Sequence, residues 1–137
     1  MGKFSASVSA WVRKTEARQN AVHRRAAELL FEASNLPVAK GGKMPVDFGF
    51  LRASFDASLH GMPVGPQRPE EGGTPDNGGN IATVLTSASI TDTIWAGWTA
   101  VYARRQEYEH HGFARSAAAR WQEFVDQAVR EAKAAIR

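Results

Sequence analysis

Glu107-Tyr108-Glu109-His110-His111 is the stretch whose residue types come nearest to chemistry, because a Glu three residues ahead of a His is the inward-facing ligand pair of di-metal helical bundles. Such a centre also needs a second Glu-x-x-His and two further carboxylates on facing helices. Neither of the remaining histidines, His23 and His60, stands in that setting, so the stretch reads as a solvated, charged helix end closed by Gly112. Lys40-Gly41-Gly42-Lys43 has the composition of a phosphate loop. Its spacing is not that of a Walker motif, no Ser or Thr follows Lys43 and no strand precedes it, which leaves a flexible connection. The serines form no Gly-x-Ser-x-Gly elbow, and no His and Asp are tied to one by spacing. The carboxylates sit among basic residues on polar helix faces, where surface pairing is the common role. Cysteine is absent, which excludes a disulfide framework, a thiolate metal site and a cysteine nucleophile. The expectation is a protein that is not an enzyme, with no catalytic residue, no cofactor and no metal.

The elements that carry these residues must share one core, since 137 residues make a single domain, 1–137, with little room for a second. A hydrophobic share of 43% against 23% charged is globular, so the chain is expected to fold on packing alone. The formal charge of +3 is unevenly spread: residues 1–34 hold six Lys and Arg against three acids, and 113–137 hold five against three. An excess of this size is usually a solvated helix face, although it leaves non-specific contact with nucleic acid open. No apolar run has the length of a membrane span, and Met1-Gly2-Lys3-Phe4-Ser5 lacks the apolar stretch of a signal peptide. A cytoplasmic product with no membrane partner is expected.

Phe4, Val8, Trp11, Thr15, Val22, Ala26, Leu29 and Ala33 recur at helical steps, which predicts a long amphipathic helix over 1–36 that packs Trp11 into the core and stops near Asn35 and Pro37. Residues 38–49 read as a loop. From Leu51 the period changes to two, with Leu51, Ala53, Phe55, Ala57 and Leu59 alternating with polar residues, which predicts a strand over 50–60. Four prolines and many glycines make 61–80 a long loop, a docking surface or an idle excursion. Ile81-Ala82-Thr83-Val84-Leu85 leans towards a short helix with Asn80 as its N-cap. Residues 93–99 are β-branched and aromatic on both faces, as in a central strand, with Gly97 admitting a close neighbour. A short helical piece over 100–111 precedes a helix over 113–136, whose alanines and single Trp121 would let it lie close across the sheet. The predicted class is α+β, with long N- and C-terminal amphipathic helices on a small, mostly antiparallel sheet.

Three stretches, in this order, resemble the tail-completion (tail-component) family of long-tailed, siphovirus-type bacteriophages. Pro45-Val46-Asp47-Phe48-Gly49-Phe50-Leu51-Arg52-Ala53-Ser54 keeps the family's Pro-Val-Asp-Thr-Gly-x-Leu-Arg-x-Ser turn except for Phe48 in place of Thr. Thr93 to Ala103 is similar to the family strand that ends in Tyr-Ala, here Tyr102-Ala103. Glu107-Tyr108 and Gly112-Phe113-Ala114-Arg115 are similar to Glu-Tyr-Gly-Thr and Gly-Phe-Val-Arg, with departures at Glu109-His110-His111 and Ala114.

The resemblance implies a virion structural protein, assembled in the host cytoplasm into a ring, a hexamer by expectation, that joins tail to head and surrounds the DNA conduit. Its partners would be its own copies and neighbouring neck and tail proteins, with non-specific contact to packaged DNA. A tail terminator or a head-tail connector (stopper) is the nearest alternative. A small basic nucleic-acid-binding protein and an enzyme with an unseen site are the other classes. Candidates for structural or subunit contacts are Asp47, Gly49, Leu51, Arg52, Trp98, Tyr102, Tyr108, Phe113, Arg115 and Trp121, with Arg52 expected to make a structural contact. Arg13, Arg18, Arg24 and Arg25 are the candidates to face DNA phosphates. The first helix and the 61–80 loop are the candidate arms between subunits.

Overall fold

The stripe over residues 1–36 forms one unbroken helix, α1, Lys3–Ser34. Its end is fixed by Asn35, whose main-chain N–H and side-chain Nδ2 both donate to Phe31 O, at 3.1 and 2.9 Å, before Pro37 bars a further turn. The computed structural model describes residues 2–45, 50–63 and 76–136. Beyond α1 come a 3-10 turn, Val38–Lys40, and then α2, Phe50–Ala53, and β1, Phe55–Ser58. Helix α3, Gly78–Ser87, and strand β2, Trp95–Trp98, follow. The chain closes with α4, Ala103–Arg105, a wide turn over Gln106–His111, α5, Phe113–Ala118, and α6, Trp121–Ala135. The α+β class holds, with long terminal helices beside a small antiparallel sheet.

Helix α6 runs antiparallel to α1. Arg18 Nε donates to Ile136 O at 2.7 Å and Arg25 Nε to Glu131 Oε2 at 2.8 Å, so residue numbers rise on one helix as they fall on the other. Phe124, Ala128 and Ala132, spaced by four, form the buried face of α6, and Ala26, Ala27 and Leu29 are buried on α1. The sheet pairs Phe55 with Trp98 and Ser58 with Trp95. Its inner face carries a file of rings, Phe31 on Phe55 at 4.9 Å, Phe55 on Trp98 at 4.9 Å and Trp98 on Phe113 at 4.7 Å. Met44, Phe50, Leu51, Ala100, Ala103 and Phe113 complete this core, with Trp98 and Tyr102 packed against it.

Several elements depart from the periodicity. Residues 50–53 are a helical turn and not the start of a strand, because Phe50 and Leu51 are consecutive and both buried, which an alternating strand with one wet face cannot achieve. Ser54 locks that turn, its N–H on Phe50 O at 2.9 Å and its Oγ on Leu51 O at 2.7 Å. Strand β2 has one strand neighbour among the described residues and an exposed Trp95, so it is not central. Met62 Cε lies 3.1 Å from where a Cβ on Gly97 would stand, the close approach expected there.

Helix α3 starts at Gly78, and Asn80 is not its cap. Asn80 Nδ2 donates instead to Asp56 Oδ1 at 2.7 Å and Ala57 O at 2.9 Å, while Asn77 Nδ2 reaches Phe55 O at 3.1 Å. The two amides occupy the outer edge of β1 as a neighbouring strand would. Of the long loop, 78–80 belong to α3 and 64–75 lie outside the described residues. The helix expected over 113–136 breaks at Ala119 and Arg120 with no glycine or proline to announce it. The break redirects the axis, so that Phe113 reaches Trp98 while Phe124, Ala128 and Ala132 lie along α1 and not across the sheet. Lys40-Gly41-Gly42-Lys43 is a tight turn. Gly42 N–H donates to Pro37 O at 3.0 Å, and a Cβ at Gly42 would fall 1.9 Å from Leu36 O, so no other residue fits.

Candidate assembly surfaces

The apolar stripe of α1 divides at the level where α6 ends. Past Arg18, which meets Ile136, nothing in the described chain covers the helix, and Phe4 is 81%, Trp11 67%, Val8 43% and Val12 40% exposed. Residues 3–17 thus form an arm about 22 Å long with one apolar side. Trp11 lies on the predicted stripe, but the core packing expected of it is not found, because no second helix among the described residues extends far enough to cover it. A large contiguous apolar patch is the kind of surface at which proteins meet other molecules, which makes the arm a candidate.

At the other end of α1, Asn35 gathers three elements. Arg52 Nε donates to its carbonyl at 3.0 Å and Trp98 Nε1 to its Oδ1 at 2.9 Å, which ties α2 and β2 to the end of α1. The structural contact expected of Arg52 is therefore one that satisfies a carbonyl at the helix C-terminus, where a cation is also favoured by the helix dipole. Because Arg52 is exposed, Arg52→Ala should cost about 0.5–1 kcal/mol. Urea unfolding followed by circular dichroism checks this; a cost near 3 kcal/mol would show that the contact is misjudged.

The other candidates fall into separate places. Leu51 and Phe113 are core residues and Tyr102 packs near Phe50, with ring centroids 6.3 Å apart. Tyr108 is exposed beneath the guanidinium groups of Arg104 at 5.5 Å and Arg115 at 4.8 Å. Trp121 is 41% exposed on the first turn of α6. Asp47 and Gly49 lie outside the described residues. Glu107 is buried, and its carboxylate accepts from the N–H groups of Ala114 at 2.9 Å and Arg115 at 3.1 Å, the opening amides of α5. A wide turn aims it there: Gly112, at φ +61°, donates its N–H back five residues to Glu107 O at 3.0 Å, the cap expected of Gly112.

Among the four arginines proposed for DNA, three hold acceptors within the chain. Arg18 binds Ile136 O, Arg24 binds Ala88 O, and Arg25 sits among Glu28, Glu32 and Glu131. The hydrogen bond to Glu131 raises the Arg25 pKa and lowers that of Glu131. Arg13 is exposed and has no partner among the described residues. His23 Nε2 donates to Asp92 O at 2.9 Å, so this imidazole ties α1 to the α3–β2 connection.

An open groove of about 620 Å³ runs between β1 and α3. Leu59, Pro63 and Val84 give it apolar walls, and Asp56, Asn80 and Thr83 line it with polar groups. Asp56 Oδ1 is held by Ala57 N and Asn80 Nδ2, whereas its Oδ2 has no partner among the described residues. Periodicity gives no sign of this groove, which lies where Asn77 and Asn80 tie α3 to β1.

No group of three or more His, Cys, Asp and Glu among the described residues could hold a metal ion, and no described helix is long and apolar enough to cross a membrane. Compared with family models, curated proteins and solved structures, the chain matches none.

Proposed function

We propose that this chain is a structural subunit that works by assembling with its own copies, and that the assembly is a neck or tail-completion ring joining a bacteriophage tail to its head around the DNA conduit. One observation supports assembly above all: a continuous helical arm presents Phe4, Val8 and Trp11 to solvent on one side, apolar surface that a partner would bury. The phage setting is supported by the order of the Pro-Val-Asp, Tyr-Ala and Gly-Phe stretches along the sequence. Arg13, the one of the four arginines with no partner among the described residues, is the residue most available to passing phosphates.

Light scattering across a range of protein concentrations, with negative-stain images of the same samples, tests the assembly. The expected mass is a fixed multiple of 14.9 kDa, with closed rings in the images. A monomer at every concentration would remove self-assembly, and absence of the polypeptide from purified virus particles would remove the phage role.

A further inference from the structure

The arm and the groove are separate patches on one chain, each lacking what the other supplies. We propose that the α1 arm of one copy docks in the α3–β1 groove of the next. This rests on the self-assembly reading and names the two surfaces that carry it. The arm cannot fill its own groove, because α1 is unbroken from Lys3 to Ser34 and its own α3 region meets it at Asn20 and Arg24, through Ile90 N and Ala88 O. A second copy is the occupant that matches in length, apolarity and charge.

Phe4, Val8 and Trp11 span about 10 Å along the helix axis, and the ten residues of α3 that flank the groove span about 15 Å. Leu59, Pro63 and Val84 offer the apolar wall against which these side chains can lie. Lys3 and Lys14 flank the stripe on one side, about three turns apart, and make no ion pair among the described residues. Among the described residues the groove lining has no lysine or arginine; its ionisable members are Asp56, whose Oδ2 has no partner among those residues, and His60, and exposed Asp76 stands beside the start of α3. Lys3 and Lys14 of the arm are thus opposite in sign to Asp56 in the groove and Asp76 beside it, the complementarity that steers docking.

Because the two patches differ, each subunit gives one and receives one, and such a head-to-tail contact closes into a ring when the rotation closes. Trp11→Glu and Thr83→Arg separate the surfaces: both residues are exposed, so neither variant should lose helicity by circular dichroism. Each alone is expected to run at 14.9 kDa by light scattering where the wild type assembles. An equimolar mixture retains one sound arm, on the Thr83→Arg chain, and one sound groove, on the Trp11→Glu chain. It is expected to form a pair at twice the monomer mass and nothing larger. The proposal is overturned if either variant assembles like the wild type or if the mixture stays monomeric. Thr83→Arg assembling normally while Trp11→Glu does not would point to arm-on-arm contact. A wild type that is itself monomeric would remove the self-assembly reading together with this inference, whereas the other failures leave that reading standing.

Discussion

Phe113→Ala is expected to lower the unfolding free energy by about 3–5 kcal/mol, the range for emptying an aromatic site in a packed core. Phe113 is 2% exposed, lies edge-on to Trp98 with centroids 4.7 Å apart, and shares its cluster with Met44, Phe50, Leu51, Ala100 and Ala103. Four separate segments converge on that ring, so none can collapse into the void without moving another element. A domain of this size is stabilised by roughly 5–15 kcal/mol, so this one truncation removes at least about a fifth of the total and in a marginal domain nearly all of it. Phe113→Leu keeps most of the volume and should cost under about 1.5 kcal/mol. Urea titration of both variants, with the slope of the transition compared to the wild type, makes the check. Equal losses for Ala and Leu would mean that ring packing is not what holds this site.

The same cluster shows how far the sequence could be read. The helical stripe ending in Leu29 and Ala33 was visible because spacing by three and four is a property of the chain alone. Phe55 and Ala57 likewise alternate with polar residues and do form a strand, with both side chains buried. The turn over 50–53 was not visible. Leu51 and Ala53 flank Arg52 with the same period as a strand, and only the burial of adjacent Phe50 and Leu51 against Phe113 and Ala103 decides for a helix. Tertiary contact of this sort overrides a local pattern four residues long.

The exposed arm was legible in principle. Periodicity states that a stripe exists and says nothing of what covers it, but lengths do. A first helix over 1–36 outruns a last helix over 113–136, and the break at Arg120 leaves α6 with 15 residues beside the 32 of α1. A shorter helix packed antiparallel on the C-terminal half of a longer one must leave the longer helix's other end bare. The groove is a different case, since it depends on Asn77 and Asn80, whose amides replace a missing strand partner by a device that no periodic signal encodes.

The capping of α5 by Glu107 was equally hidden, and its removal should have the second largest effect on stability. Glu107→Ala is expected to cost about 2–3 kcal/mol, because it strips a buried, charged acceptor from the N–H groups of Ala114 and Arg115. The position is favourable for an anion, since the open amides of a helix start point at it and the helix dipole has the same sense. Arg115 closes the arrangement from outside, with Nη2 on Glu107 O at 2.8 Å. Glu107→Gln keeps one acceptor oxygen without the charge and should cost about 1 kcal/mol. Glu109→Ala supplies the contrast, for its pairing with Arg105 is an exposed contact across one helical turn with both side chains more than 60% exposed, and removing it should change stability by less than about 0.5 kcal/mol. Thermal and urea unfolding of the three variants give the ranking. A Glu109→Ala loss as large as that of Glu107→Ala would show that charge on this turn, and not the capping geometry, is what stabilises the start of α5.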